Sequence, residues 1–224
     1  MWANLVPLII GSAVLPMQII VTLVLLRSPA GLRSAVAFVS GMTVVRLIQG
    51  LLLGAIVVPA HAQQTDLESG AGPLMTSFLL IIGILLLATA LRQVITGEDP
   101  DAPPPRWVSM TVSMKPSTAF GFGMGLIAVG AKWWVFTIGA VAAIVDADLG
   151  RPTQALTYLL FVVLAELPVL LFVVGSAFAP QRSAPLLAAV SAWLERHNHR
   201  IVVVACLVFG LWFVLKALKD FGVF

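Results

Sequence analysis

Charged residues are scarce in this chain. Lysine and arginine number 13 and aspartate and glutamate 10 among 224 residues, so 10% of the chain is charged while 60% is hydrophobic. Because a soluble domain carries about 25% charged residues, this composition excludes an ordinary soluble fold. The net charge is +3, but the basic residues are dispersed among the predicted loops, as in membrane proteins. We therefore expect an integral membrane protein that binds no nucleic acid.

Cysteine is nearly absent as well. Cys206 is the only one and lies in an apolar run, which excludes an intrachain disulfide and a relay of paired thiols. No Ser-His-Asp set, nucleophile motif or cluster of carboxylates is visible either. His197 and His199 are two residues apart and point to different helix faces, which disfavours a metal site. We expect no enzymatic activity, no cofactor and no metal.

Long apolar runs are what the chain does contain. A hydrocarbon core of about 30 Å is crossed by about 20 helical residues. The runs are continuous and lack the alternation of a barrel wall. Six segments have the required length, at residues 5–26, 34–59, 74–95, 118–145, 155–179 and 200–219. The sequence predicts an all-α integral membrane protein with six transmembrane helices.

Similar spacings recur in the two halves of the chain. Arg46 follows Phe38 by eight residues, and Glu166 follows Tyr158 by eight, at an offset of 120 positions. Three spans per half is an odd number, so a duplicated unit has to be inverted across the membrane. The sequence therefore predicts two inverted three-helix repeats.

The predicted repeats cover residues 1–95 and 118–224. The segment between them, residues 96–117, is rich in proline and acidic residues and is expected to be an extended cytoplasmic linker. Within the second repeat, residues 183–200 can form an amphipathic helix that would lie at the membrane surface. Each half is thus expected to supply three spans.

Basic residues at the ends of the spans and in the loops are unevenly divided between the two membrane faces. Eight fall at the face of the loops after the first, third and fifth spans, and three fall at the opposite face. The eight are Arg27, Arg33, Arg92, Arg106, Lys115, Arg182, Arg196 and Arg200, and the three are Arg151, Lys216 and Lys219. Because cytoplasmic loops carry the excess of Lys and Arg, we expect both termini outside, in a bacterial inner membrane.

Three charged residues lie near the middle of predicted spans. They are Arg46, Lys132 and Glu166. A charge at the bilayer centre costs about 2.5–3.5 kcal/mol on insertion scales, and such residues face the protein interior or a water-filled path. Their positions predict an internal polar site of the kind found in transporters.

Arg46 and Glu166 occupy equivalent positions in the predicted repeats. A two-fold axis in the membrane plane would bring the second and fifth spans together, where the two side chains could pair. Two interpretations stay open: an ion pair that only fixes helix packing, or a proton-coupled gate that substrate or a proton on Glu166 opens. Gln49 lies three residues after Arg46 on the same helix face and would extend the polar surface.

Other polar and aromatic residues of the spans complete the candidate site. Lys132 lies about 13 residues from either end of its span, or roughly 20 Å. That is too far for its side chain to reach the interface, so we expect it to contact an anion or a headgroup. Trp134 would wall a pocket or face lipid. Pro16 interrupts the first span, which is typical of a binding site, and Gln18 would line that site.

Glycines four residues apart occur in two spans. The pairs are Gly50 with Gly54 and Gly121 with Gly125. Small residues at this spacing let two helix backbones approach closely in a membrane. We expect both pairs to lie at helix contacts.

Short motifs of the chain resemble a known superfamily. The run from Pro7 to Pro16 (PLIIGSAVLP), followed by a second span with Phe38 and Gly41, resembles the LysE-type exporters. Within them it is most similar to the GAP/Sap branch, named for addressing glycopeptidolipids and sulfolipids to the cell surface. The amino-acid exporters of the superfamily carry Asn-Pro-Lys and Pro-Gly-Pro motifs. Here Gly-Ala-Lys at 130–132 matches only the lysine and Leu-Pro-Met-Gln at 15–18 replaces the second motif, which favours the lipid-addressing branch.

The resemblance implies an exporter that moves a lipid or glycolipid from the cytoplasmic leaflet outward. Two alternatives stay open: export of amino acids or other small solutes, and a non-transporting assembly factor for a larger lipid-export machine. The expected partners are a lipid or glycolipid, with an anionic headgroup as one option, together with a homodimer or the larger export machinery. The candidate transport residues are Arg46, Lys132, Glu166, Gln18, Gln49, Pro16 and Trp134.

Overall fold

The computed structural model describes residues 1–64, 73–96, 114–178 and 180–222. All regular structure within these ranges is α-helical, so the expectation of an all-α chain is confirmed there. The helices are α1 (Trp2–Ala13), α2 (Pro16–Leu26), α3 (Gly31–Gln64), α4 (Pro73–Thr96), α5 (Pro116–Val129), α6 (Ala131–Val145), α7 (Arg151–Ala165), α8 (Leu167–Phe178) and α9 (Pro180–Asp220). The predicted linker at 96–117 lies largely outside the described residues.

Three of the predicted spans are bent pairs of helices. The axes of α1 and α2 meet at 44°, those of α5 and α6 at 67°, and those of α7 and α8 at 63°. Pro16 begins α2, because the first position of a helix tolerates a residue without an N–H. Gly130 separates α5 from α6 with an extended backbone. Each break leaves backbone carbonyls without their usual partners.

The helices give two to five candidate membrane spans by length and composition. The part of α3 from Gly31 to Val57 and the part of α9 from His199 to Asp220 each qualify unbroken. Each bent pair qualifies when its two helices are taken together. In α4 a shorter apolar stretch covers Leu80–Ile95. The chain therefore fits a membrane protein, while a sixth span and the inverted repeats stay predictions.

The chain divides into two compact units, Met1–Val57 with Pro103–Arg196, and Val58–Ala102 with His197–Phe224. In the first unit, α1 packs against α6 and α7, and α2 packs against α8. The first bent span therefore contacts both of the others: α1 packs on each of them, and α2 packs on the pair formed by α7 and α8. All of the candidate residues identified in the sequence belong to this unit.

Two glycines bring α3 and α5 of the first unit together. A Cβ on Gly41 would collide with the carbonyl oxygen of Phe120, and a Cβ on Gly123 would collide with that of Phe38. The contact is reciprocal. Gly41 follows Phe38 by three residues and meets the carbonyl of Phe120, while Gly123 follows Phe120 by three residues and meets the carbonyl of Phe38. The rings of Phe38 and Phe122 stack beside it with centroids 6.1 Å apart.

The predicted glycine contacts are only partly correct. Gly50 does lie at a contact, against the ring of Tyr158, but no atom of the described residues lies within 4 Å of a Cβ built on Gly54, Gly121 or Gly125. The contact of α5 is made by Gly123 instead. Two residues correspond to about 200° of rotation around a helix, so Gly123 lies on nearly the opposite face from the predicted pair.

The second unit contains its own glycine contact, between α4 and the end of α9. A Cβ on Gly83 would lie 2.9 Å from the backbone nitrogen of Val214 and 3.0 Å from the carbonyl oxygen of Gly210. A Cβ on Gly210 would lie 3.1 Å from the carbonyl oxygen of Gly83. The two backbones approach as closely as they do because neither residue has a side chain.

The segment predicted as an amphipathic surface helix, residues 183–200, lies inside α9. This helix continues without interruption from Pro180 to Asp220, so the segment is helical and joined directly to the last apolar stretch. Leu187 and Leu194 are buried, while Trp193 is exposed.

Candidate functional site

The first unit contains a buried ion pair at the predicted position. Nε of Arg46, in the middle of α3, lies 3.2 Å from Oε1 of Glu166, at the junction of α7 and α8. The exposed fractions of the two side chains are 0% and 2%. The sequence indicated only that these two residues could pair, and in the structure they lie within ion-pair distance although 120 residues of sequence separate them.

A threonine completes the environment of the carboxylate. The hydroxyl of Thr43 lies 2.6 Å from Oε2 of Glu166 and donates a hydrogen bond to it. The same hydroxyl is 2.9 Å from the carbonyl oxygen of Val39. The sequence analysis did not single out Thr43, although its position three residues before Arg46 places both on one helix face. Glu166 is thus held by two side chains of α3.

The guanidinium group of Arg46 has unused hydrogen-bonding capacity. Its Nη1 and Nη2 have no hydrogen-bond partner among the described residues, and Nε, although close to Glu166, does not form a hydrogen bond with it. The ring of Trp133 covers the group, with Cζ 5.2 Å from the centroid. Leaving a buried charged donor unsatisfied costs at least about 1–3 kcal/mol. Two parallel donors of this kind match the two oxygens of a carboxylate, phosphate or sulfate.

Gln49 connects α3 to the bent span formed by α5 and α6. Its side chain is 1% exposed, its Oε1 accepts from the Thr137 hydroxyl at 3.3 Å, and its Nε2 lies 3.5 Å from the carbonyl oxygen of Ile127. The latter distance is at the limit for a hydrogen bond. Gln49 therefore extends the polar surface from Arg46, as predicted, and directs it toward the break at Gly130.

Gln18 provides a hydrogen-bond donor to the carbonyl groups at the break in the first span. Pro16 has no N–H, so the carbonyl of Ser12 lacks the donor that a regular helix would provide. The Nε2 of Gln18 donates to the carbonyl oxygens of Ser12 at 3.0 Å and Ala13 at 3.2 Å. Its Oε1 and the Ser12 hydroxyl are buried and have no partner among the described residues. The side-chain amide of Gln18 therefore caps the end of α1 through its nitrogen, while its oxygen has no partner among the described residues.

Trp134 has the corresponding role at the second break. Its Nε1 donates to the carbonyl oxygen of Ala128 at 2.8 Å, across the extended Gly130. Gln18 and Trp134 both reach back six residues to the end of the preceding helix. The predicted choice for Trp134 lay between a pocket wall and lipid contact, but its indole also caps a helix end.

For Lys132, the third charged residue near the middle of a span, the structure describes only the backbone. Lys132 lies in the first turn of α6, directly before Trp133. Its side chain lies outside the described residues. The Arg46–Glu166 pair is accordingly the part of the predicted charged site whose geometry is established.

Tyr158 is a further residue of the site. Its hydroxyl donates to the backbone carbonyl oxygen of Arg46 at 2.6 Å. In the sequence analysis it served only as a spacing match, eight residues before Glu166. Eight residues are about 2.2 helical turns, and the side chains of Tyr158 in α7 and Glu166 at its end both reach α3. That spacing was the signal that could have identified it.

The arrangement suits reversible ion pairing. Among the residues that the structure describes, no group of three or more His, Cys, Asp or Glu side chains lies together as metal ligands would. The carboxylate of Glu166 contacts Arg46 and Thr43. A guanidinium with free donors and a carboxylate that can be neutralised by a proton give two ways to separate the pair.

A comparison with protein families identifies one match. The model of the family described as Sap, sulfolipid-1-addressing protein, matches residues 5–219, which is almost the whole chain and includes every residue of the site. No curated protein and no solved structure shows a significant match to the chain.

Proposed function

Since the chain belongs to the Sap, sulfolipid-1-addressing protein, family, we propose that it is an exporter that moves a lipid or glycolipid toward the cell surface. We place it in the inner membrane and in the LysE superfamily. The observation that carries the proposal is the buried pair of Arg46 and Glu166, in which two guanidinium nitrogens have no hydrogen-bond partner in the part of the chain that the structure describes. Charged groups at membrane depth commonly mark substrate and ion pathways.

Arg46 is proposed to bind an anionic headgroup of the lipid. Its Nη1 and Nη2 would donate to two oxygens of the headgroup, while the ring of Trp133 limits access from one face. Lys132, directly before Trp133, is proposed as a second cation for the same headgroup. An anion binding here adds negative charge beside Glu166, which favours separation of the ion pair.

Glu166 is proposed as the gate. It lies where α7 and α8 meet at 63°, so a change in its contacts acts at a bend in the chain. A proton on Glu166, or a headgroup bound to Arg46, removes the attraction that holds the carboxylate on α3. Because α8 packs on α2, movement at this bend would reach the first span, where Pro16 and Gln18 form the other break.

The proposed framework is six spans arranged as two inverted three-helix repeats, with both termini outside. One observation supports it. Gln18 in the first span and Trp134 in the fourth cap their breaks with the same six-residue reach.

The proposal is tested by mass spectrometry of surface lipids from a strain that lacks the gene. The wild-type gene should restore a missing lipid class, whereas Glu166→Gln should not, although the variant protein reaches the membrane in equal amount. The glutamine keeps the size of the side chain and an acceptor for Thr43 but removes the charge that pairs with Arg46. Gly54→Ala is the control, since no described residue lies within 4 Å of a Cβ at that position.

Three outcomes contradict parts of this proposal. An unchanged surface lipid profile in the deletion strain would exclude lipid export. A retained amino acid or other small solute, in place of a lipid, would indicate a small-solute exporter. If Glu166→Gln and Lys132→Ala both restore the lipid fully, the ionised groups are dispensable and an assembly factor for a larger machine fits better.

A further inference from the structure

Tyr158 is joined to α3 by a hydrogen bond between two uncharged groups. Its hydroxyl donates to the carbonyl oxygen of Arg46 at 2.6 Å. The ring of Tyr158 lies against Gly50, about one turn further along α3. The phenol therefore packs on the turn of α3 that carries the guanidinium.

Gly50 makes this contact possible. A Cβ at that position would overlap the ring of Tyr158 and would lie 2.8 Å from its Cδ1. One turn further along α3, Gly54 has open space around it. The two glycines are four residues apart on the same helix, yet only Gly50 lies against an aromatic ring. The space at Gly50 thus matches Tyr158 specifically.

Helices α3 and α7 are joined at Arg46 in two chemically different ways. The side chain of Arg46 pairs with Glu166, and this contact can be broken by neutralising the carboxylate or by a competing anion. The backbone of Arg46 bonds to Tyr158, and neither event removes that hydrogen bond. Tyr158 and Glu166 are eight residues apart, so the two contacts start from points about 12 Å apart along the helix axis, at 1.5 Å per residue.

We propose that Tyr158 is a positioning residue that keeps the Arg46 turn of α3 fixed on α7 while the ion pair opens and closes. The inference rests on the proposed exporter function. Separation of the pair then displaces Glu166 and α8 beyond the bend, and Arg46 remains in place to receive the headgroup. Without the hydroxyl, the guanidinium loses its fixed position each time the pair opens.

The spectroscopic test uses the fact that Tyr158 is the only tyrosine of the chain. Incorporation of 3-fluorotyrosine gives a single 19F resonance that reports the surroundings of this ring. Glu166→Gln should leave the resonance in place, because the hydrogen bond to Arg46 persists when the pair is lost. Gly50→Ala should shift it and Gly54→Ala should not. A shift in Glu166→Gln as large as that in Gly50→Ala would overturn the proposal.

The functional test is Tyr158→Phe, which keeps the ring and removes only the hydroxyl. A hydrogen bond contributes about 0.5–1.5 kcal/mol, so we expect the lipid concentration at half-saturation to rise about 2- to 10-fold without a comparable fall in the maximal export rate, because Arg46 is then held less often where it receives the headgroup. Wild-type export by this variant would reduce Tyr158 to a packing residue. Because the resonance is read without lipid export, a failure of the positioning role is distinguishable from a failure of the exporter function.

Discussion

The two compact units hold their helices together by opposite means. In the first unit, α3 meets α7 through a buried ion pair, a threonine and a tyrosine, with Arg46 and Glu166 almost fully removed from solvent. In the second unit, α4 meets α9 through Gly83 and Gly210, whose backbones nearly touch. The first contact contains charged side chains, and the second, at its two glycines, brings backbone against backbone.

The difference indicates which contact serves packing alone. Apolar side chains gain little by leaving lipid for a protein interior, so close approach of small residues is sufficient to join helices in a membrane. A buried ion pair is a poor source of stability, because desolvation can exceed the attraction. This difference is consistent with the role proposed above for the charged contact of the first unit.

The largest effect is expected when one member of the pair is removed. Arg46→Ala leaves Glu166 buried without its counter-charge, and we expect the free energy of unfolding to fall by about 3–5 kcal/mol. Equilibrium unfolding in detergent micelles measures it. The double variant with methionine at both 46 and 166 should recover much of the loss, because no charge then remains to be buried. A double variant as unstable as Arg46→Ala would mean that the charges themselves stabilise the fold.

A smaller effect is expected at the glycine contact. Gly83→Ala places a Cβ 2.9 Å from the backbone nitrogen of Val214, and overpacking of this kind costs about 1–3 kcal/mol. Unfolding in micelles checks the loss, with Gly54→Ala as the matched control in open space. Lipid export per folded molecule should be unchanged in Gly83→Ala. A selective loss of export at normal stability would contradict the assignment of this contact to packing.

The smallest effect is expected at the break in the first span. Gln18→Leu removes the donor to the carbonyls of Ser12 and Ala13, and we expect a loss of about 1 kcal/mol, measured by the same unfolding experiment. The loss is limited because the unpaired Oε1 of Gln18 disappears as well. Gln18→Glu, which supplies no amide donor when ionised, should be at least as unstable. Equal stability of all three proteins would show that the cap contributes nothing.

The sequence was sufficient to predict what depends on composition and spacing. The apolar runs predicted an all-α membrane protein. The charges at mid-span and the equal offset of Arg46 and Glu166 indicated that the two could pair, since a buried charge requires a partner. Pro16 predicted the first break because the missing N–H acts locally.

Features that depend on tertiary packing were not predictable in the same way. The break at Gly130 has no proline to signal it, and glycine within an apolar run is tolerated in an unbroken helix. Gly123 was missed in favour of Gly121 and Gly125, because spacing alone does not reveal which helix face meets a neighbour. Tyr158 was noted for its position but not for its contact, since the space above Gly50 exists only in the folded chain.

The reciprocal contact of Gly41 and Gly123 with the carbonyls of Phe120 and Phe38 has a consequence for how this protein would respond to its surroundings. The hydrogen of each glycine Cα that replaces a Cβ points at a carbonyl oxygen, which is the arrangement of a Cα–H···O bond. Such bonds involve no ionisable group and are indifferent to acidity and to salt. The contact between α3 and α5 should therefore keep the same strength at any pH and salt concentration, whatever the protonation state of Glu166.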